Sequence, residues 1–369
     1  MAIQKFIVSN DTSIYEAFPD VIQTNSGKLI CVFTECGASH ECRDGSRLVT
    51  VESTDRGRTW SEKKPLTERM MHGESFDCAR ISKLNDGSLT IICNKVHLED
   101  EDSNLWGKDY LYAWHADAEG TDWGEPTVLP FYGRCPDKVT QLKNGRIIVS
   151  AQQIRERGEE FWSVMWEQFM WYSDDNGKTW SDKIVVGTSP KYSLCEGSII
   201  EYGDGILLCF MREETFKGLP IMKTISYDNG ETWGEPHDCG LDGGHRPIAG
   251  FMQNGHVLIT YRFIPYMTQN FFAGQLHRAG LLNTDRRNQW QRILPLDYDR
   301  HPSPDLGYSG WTQFEDGEIY VVNYIRDDYD KAHIRGYSFW PEDIELPMSA
   351  YEDGAAVKKT QVCAQIKED

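Results

Sequence analysis

Three carboxylates stand out for their setting. Asp55, Asp175 and Asp228 each take third place in an octapeptide Ser-x-Asp-x-Gly-x-Thr-Trp, at Ser53–Trp60, Ser173–Trp180 and Ser226–Trp233. A carboxylate beside a glycine could serve as an acid, a base or a nucleophile. Recurrence argues against such chemistry, because a reaction needs the group once whereas a turn needs it in every copy. The alternative is a latch. The Asp accepts hydrogen bonds from backbone N–H groups of its own loop, the Gly permits a positive φ, and the Trp packs on a neighbouring sheet. Two worn copies, His115–Trp123 and Asn283–Trp290, extend the series. These aspartates are therefore set aside as structural. Metal chemistry has no better footing: His40, Glu41 and Cys42 lack a second ligand group at usable spacing, so neither a metal nor another cofactor is expected.

The elements that carry these turns follow from a second series. Asn/Asp-Gly or equivalent turns precede short β-rich apolar runs at Gly27, Gly87, Gly145, Gly205, Gly255 and Gly317, spaced by 60, 58, 60, 50 and 62 residues. Each is a hairpin signal. A repeat of about sixty residues holding four strands is one blade of a β-propeller. The expectation is an all-β, six-bladed β-propeller forming a single domain over residues 1–369, with blades starting near 18, 77, 135, 196, 246 and 308. The segment Gln4–Val8 is expected to close the sixth blade and so remove an exposed sheet edge. The charged tail 341–369 is left unassigned. The octapeptides join third to fourth strands. The opposite face, where first strands start and second strands end, is expected to hold the pocket.

Composition narrows the partners. Lys and Arg number 38 against 57 Asp and Glu, a net charge of −19, which disfavours nucleic acid and anionic membranes. There is no apolar run long enough to span a bilayer. The start Met1-Ala2-Ile3-Gln4-Lys5 has no apolar signal region, and the ten cysteines show no paired CxxC spacing. Cys31, Cys93 and Cys209 fall in apolar runs and read as small buried hydrophobes. A reducing, cytoplasmic location is expected; a secreted protein whose signal peptide had been removed would read the same.

The octapeptides resemble the Asp-box, or bacterial neuraminidase repeat, of the sialidase superfamily, and the resemblance covers essentially the whole chain. It implies a catalytic Glu opening the fourth blade, matched by Glu196 in Cys195-Glu196-Gly197-Ser198. It implies an arginine for the substrate carboxylate at the end of that blade's second strand, matched by Arg212. It also implies a Tyr nucleophile in a Tyr-Ser pair opening the last blade, matched by Tyr308 in Gly307-Tyr308-Ser309-Gly310-Trp311. A neutral phenol avoids repulsion with an anionic sugar acid and can pass its proton to a neighbouring carboxylate as it attacks. The acid/base falls in the loop of blade one, where Glu41 and Asp44 are candidates and His40 is a substitute.

One departure is plain. The resemblance places the first of three carboxylate-binding arginines in an Arg-Ile-Pro motif, and here Glu16-Ala17-Phe18-Pro19-Asp20 puts Ala17 in its place. Arg262 lies seven residues after Gly255, as Arg212 does after Gly205, and should reach the same face. Arg246, Arg80 and Arg134 are further candidates for binding substrate. Asp20, Asp77 and Asp137 open first strands and could line the mouth, which suits hydroxyls more than a carboxylate. Trp106, Trp162, Trp166 and Trp171 lie near loops and suit stacking on sugar rings. The expected function is a sialidase-like glycoside hydrolase acting on a terminal sugar, acidic sugars among them, through a Tyr308/Glu196 pair. The alternatives are a catalytically inactive carbohydrate-binding propeller and a lyase on acidic sugars.

Overall fold

The computed structural model describes residues 3–39, 45–71, 74–96, 109–157, 164–265 and 268–345. They form six antiparallel four-stranded sheets arranged as the blades of a propeller, with almost no helix beyond Pro341–Glu345. Five blades take their four strands in chain order. The sixth adds the N-terminal strand Gln4–Ser9 as its outermost member, paired with His333–Phe339. The ring is thus closed by its own first strand, as the sequence suggested, and the closure hides an edge that would otherwise be open to pairing.

The apolar residues of each strand alternate toward both faces, and every blade buries both of them. Six apolar clusters result, each shared by two neighbouring blades. One joins Val21, Cys31 and Val49 of blade one to Tyr320 and Val322 of blade six. Another joins Leu208 and Phe210 of blade four to Ile259 and Tyr261 of blade five. Cys31, Cys93 and Cys209 sit fully buried in these layers as free thiols.

The octapeptide turns behave as latches. In the first, Asp55 accepts from Ser53 Oγ (2.8 Å), Arg58 N (3.1 Å), Thr59 N (2.9 Å) and Thr59 Oγ1 (2.6 Å). Asp175 and Asp228 repeat the pattern toward Thr179 and Thr232. Trp60 packs 6.2 Å from the ring of Tyr320 in the next blade. Three of the six blades, the first, third and fourth, are therefore tied at this face between their third and fourth strands.

The opposite face is organised by a repeated irregularity. Six non-glycine residues have left-handed backbone near the mouth end of the inner strands: Phe18 (φ 58°), Cys78 (56°), Cys135 (47°), Glu196 (51°), Arg246 (48°) and Tyr308 (51°). There is one per blade, and the blade starts read from turn spacing fall on or beside them. In five blades the register slips there, between Ala17/Asp20, Asp77/Arg80, Cys195/Ser198, His245/Ile248 and Gly307/Gly310. Each is a β-bulge that re-aims one side chain toward the axis, at a cost of about 1–3 kcal/mol of backbone strain.

Below the bulges, polar groups bind blade to blade. Asp20 accepts from Ile81 N (2.9 Å), Asp137 from Ile199 N (2.8 Å) and Ser198 Oγ from Ala249 N (3.1 Å). The same register position thus links blades one to two, three to four and four to five. Between blades six and one the approach is closest. A Cβ on Gly310 would lie 1.9 Å from Asp20 Oδ1 and 2.8 Å from backbone atoms of Asp20 and Val21, so only glycine fits. Arg80 reaches across to Ser309 O (2.9 Å), and Arg246 to Cys135 O (3.0 Å) and Pro136 O (2.8 Å).

The latch reading of the octapeptides has a measurable consequence. Hydrogen bonds from the Thr59 side chain and backbone lead the effects that hold the Asp55 carboxyl at about 2, below its ordinary 3.8. A depressed carboxyl contributes stability that is complete above pH 3.8 and is lost as the pH falls through about 2. Asp55→Ala should lower the melting temperature by a few degrees at neutral pH. The gap from the unsubstituted protein should close as the pH is taken down that range. A gap that does not depend on pH would contradict the latch.

Candidate active site

A cavity of about 250 Å³ opens where the inner strands end. Five of the six bulge residues line it: Phe18, Cys78, Cys135, Glu196 and Tyr308. Its walls come from the second strands and the loops beyond them, through Asn94, Gln152, Arg212 and Glu214, with Trp166 on one side. This cavity lies on the face where first strands start and second strands end.

Amides displaced from the ladder by the bulges are recovered by amide side chains. Glu196 N donates to Gln152 Oε1 (2.7 Å), Gly197 N to Gln168 Oε1 (3.0 Å), Cys135 N to Asn94 Oδ1 (3.1 Å) and Gly307 N to Asn323 Oδ1 (3.0 Å). Gln152 and Asn94 stand on the second strand of the preceding blade. The preceding blade therefore anchors the backbone at Glu196 and Cys135.

Glu196 and Tyr308 come from blades four and six and meet across the axis. The Tyr308 hydroxyl donates to Glu196 Oε1 in a short hydrogen bond. Arg212 Nη1 lies 3.2 Å from both oxygens of the same carboxylate. Glu196 and Arg212 are only 3% and 6% exposed. Behind the Tyr308 ring stand Arg246, at 5.2 Å from its centroid, and Arg262, at 5.9 Å. Phe18 packs edge-on against the ring at 4.9 Å.

The electrostatics follow from this arrangement. Burial pushes the Glu196 carboxyl up, but Arg212, Arg246, the Tyr308 hydrogen bond and Arg262 outweigh it, so the group is held below its usual 4.5. Burial, then the Glu196 charge and the Cys135 and Cys78 thiols, drive the Tyr308 phenol well above its usual 10. The pair is therefore an ionised acceptor holding a neutral donor. The two thiols lie 3.7 Å apart, unbonded, in the lining of the cavity.

The remaining sequence candidates divide by position. Arg134 lines the cavity and is paired to Asp109 (2.6 Å), and Asp77 lines it and accepts from Ser75 Oγ (2.9 Å). Asp20, Asp137 and Arg80 do not line this cavity. They lie beneath it in the buried layer that joins the blades, where Asp20 also meets Lys138 (3.1 Å). Arg246 and Arg262 are absent from the lining as well. Their guanidinium groups donate to main-chain carbonyls, Arg262 to Leu306 O (3.1 Å). Ala17 is fully buried, one residue before the Phe18 bulge. His40, Glu41 and Asp44, with Trp106 and Trp162, lie outside the described residues. Trp171 is stacked flat on Phe131 (4.2 Å) inside the layer between blades two and three, whereas Trp166 reaches the cavity. Among the described residues, no group of three or more His, Cys, Asp or Glu could hold a metal ion.

Glu214 was not foreseen. It follows Arg212 by two residues, lines the cavity and ion-pairs with the Arg212 Nε. The signal was the acidic doublet Glu213-Glu214 directly after the arginine, which the repeat pattern gave no reason to read.

The model of BNR repeat-like domains matches residues 99–321 of the chain. A sialidase of Clostridium perfringens is 29% identical over 255 residues, covering 60% of this chain and 62% of that protein. A sialidase of Paraclostridium sordellii is 29% identical over 220 residues, 51% of this chain and 52% of that protein. The chain thus spans between about half and six tenths of the length of these curated relatives. Among solved structures, a protein of unknown function from Dyadobacter fermentans superposes with a TM-score of 0.74 at 22% identity, covering 91% of this chain and 98% of that one. A sialidase of Streptococcus pneumoniae gives 0.66 at 14% identity, with coverage of 92% and 71%. An intramolecular trans-sialidase from Ruminococcus gnavus gives 0.64 at 14% identity, with coverage of 93% and 98%. At these identities the superpositions establish the fold.

The protonation states carry their own test. Ultraviolet difference titration of the unsubstituted protein against Tyr308→Phe should show no tyrosinate signal from Tyr308 up to pH 10, the ordinary value for the side chain. A difference signal at or below that pH would contradict the assignment.

Proposed function

The chain belongs to the family of BNR repeat-like domains, within the sialidase superfamily, and from that premise we propose that it is a sialidase-like glycoside hydrolase acting on a terminal sugar. The observation that carries this reading is the hydrogen bond from the Tyr308 hydroxyl to the buried Glu196 carboxylate, itself held by Arg212, at the base of a cavity.

In this reading the Tyr308 oxygen attacks the anomeric carbon. As the O–C bond forms, its proton passes to Glu196, and the bond from the anomeric carbon to the leaving oxygen breaks. The phenol is too weak an acid to ionise first, so the base must act during attack. Glu196 suits that task because its neighbours keep it ionised. Arg212 limits its rotation and so keeps one oxygen on the phenol. The leaving oxygen takes a proton from an acid of the blade-one loop, with Glu41, Asp44 and His40 as the candidates. Water then attacks the glycosyl-tyrosine, that same residue takes the water's proton, and Glu196 returns its proton to Tyr308. Phe18 excludes solvent from one side of the phenol, and Trp166 offers a flat apolar surface of the kind sugar rings pack on.

A second reading, a sugar-binding propeller without turnover, is favoured by one observation: Ala17, buried and apolar, stands where the family resemblance calls for a carboxylate-binding arginine.

Activity against a panel of aryl glycosides distinguishes the two. Tyr308→Phe should lower kcat/KM by about 10³-fold, and Glu196→Gln by about 10²–10⁴-fold. Because the Glu196 carboxyl is held below its usual 4.5, the acid limb it contributes to kcat/KM should lie below that pH. Turnover undiminished in Tyr308→Phe would exclude the mechanism, and sugar binding without any turnover would favour the binding propeller.

A further inference from the structure

Arg212 is the guanidinium on the cavity wall nearest the Tyr308/Glu196 pair, and two of its three nitrogens already face carboxylates of the chain. Its Nη1 faces both oxygens of Glu196 at 3.2 Å. Its Nε is ion-paired with Glu214 Oε2. The ring of Phe216 covers the guanidinium at 5.6 Å, from a left-handed backbone position (φ 57°) that leaves the side chain 60% exposed. A planar guanidinium binds a carboxylate through two parallel N–H groups on one edge, and the Nη1 and Nε of this one each already face a protein carboxylate.

The rest of the lining has the same character. Arg134 is paired with Asp109 at 2.6 Å, and the other charged groups on the described wall are the carboxylates Asp77, Glu196 and Glu214. Arg246 and Arg262 stand behind the Tyr308 ring with N–H groups on main-chain carbonyls. Among the described lining residues an anionic sugar would meet three carboxylates and two arginines that are already ion-paired within the chain. A sugar carrying only hydroxyl groups would meet acceptors for those hydroxyls, with Trp166 and Phe18 for its apolar face.

We infer that Glu214 occupies the place on Arg212 that a ligand carboxylate would take, so that the cavity selects a neutral sugar and rejects acidic ones. This rests on reading the cavity as the sugar site, though not on turnover there. Glu214 is a specificity-determining residue, acting through its pairing with Arg212. Its side chain is 19% exposed, so it can be exchanged without emptying the core.

The test is binding, followed by saturation-transfer NMR and calorimetry. The probes are galactose, glucose, N-acetylglucosamine and rhamnose against glucuronic acid and N-acetylneuraminic acid. The unsubstituted protein should bind at least one neutral sugar about ten-fold or more tightly than either acid, and Glu214→Gln should narrow that preference by a similar factor by releasing the Nε edge of Arg212. Equal or tighter binding of an acid by the unsubstituted protein, or no binding of any neutral sugar, overturns the inference. Should Glu214→Gln fail to fold, the preference of the unsubstituted protein decides alone. Rates on the matching aryl glycosides, with Tyr308→Phe as control, report separately on hydrolysis. A protein that binds neutral sugars without cleaving any would keep this inference and lose the hydrolase.

Discussion

The left-handed residue repeated once per blade, set in a β-bulge in five of the six, is the constraint on which the rest of the structure depends. A regular inner strand would alternate its side chains between the two blade interfaces and send none to the axis. One extra residue with positive φ breaks that alternation and aims a side chain at the channel mouth. Six such residues on six blades produce a ring of Phe18, Cys78, Cys135, Glu196, Arg246 and Tyr308. The strain each carries is met by neighbours: Gln152 and Asn94 satisfy the displaced amides, and Asp20, Asp137 and Ser198 bind the next blade just below. The site therefore cannot be separated from the packing that holds the ring closed.

That dependence explains why the proposed chemistry resides in a pair. Glu196 and Tyr308 are 112 residues apart in sequence. They meet because blades four and six present equivalent positions to one axis. Arg212 completes the arrangement from the second strand of blade four, and its charge is what keeps a buried carboxylate ionised. A buried carboxylate without such a partner would take up a proton and lose the capacity to accept one from the phenol.

Much of this was legible in the sequence, for reasons that differ by feature. The octapeptides and Gly turns are local and recurrent, so they yielded the propeller and its six blades without any long-range information, and the closing strand expected at Gln4–Val8 is observed over Gln4–Ser9. Glu196, Arg212 and Tyr308 were singled out by the resemblance to the sialidase superfamily, mapped onto their places in the repeat. Position alone did not separate a bulge from the residue two further on. Asp20 and Asp137 are typed as well for a pocket as Glu196, but their carboxylates are spent on the amides of Ile81 and Ile199. Arg80 and Arg246 likewise satisfy carbonyls across the axis. Glu214 lay beyond reach because its meaning comes from the geometry of the Arg212 edge it fills, which no spacing encodes.

The account turns on Tyr308 as the atom that bonds to sugar. The most direct measurement is mass-spectrometric peptide mapping after incubation with an activated glycosyl fluoride bearing a further fluorine on the ring, chosen from whichever sugar the protein binds. Attack expels fluoride and leaves a slowly hydrolysed glycosyl-enzyme. The account predicts a single label on the peptide carrying Tyr308, lost in Tyr308→Phe. A label on Glu196, Glu214 or another carboxylate, or inversion at the anomeric carbon with no label at all, would contradict it.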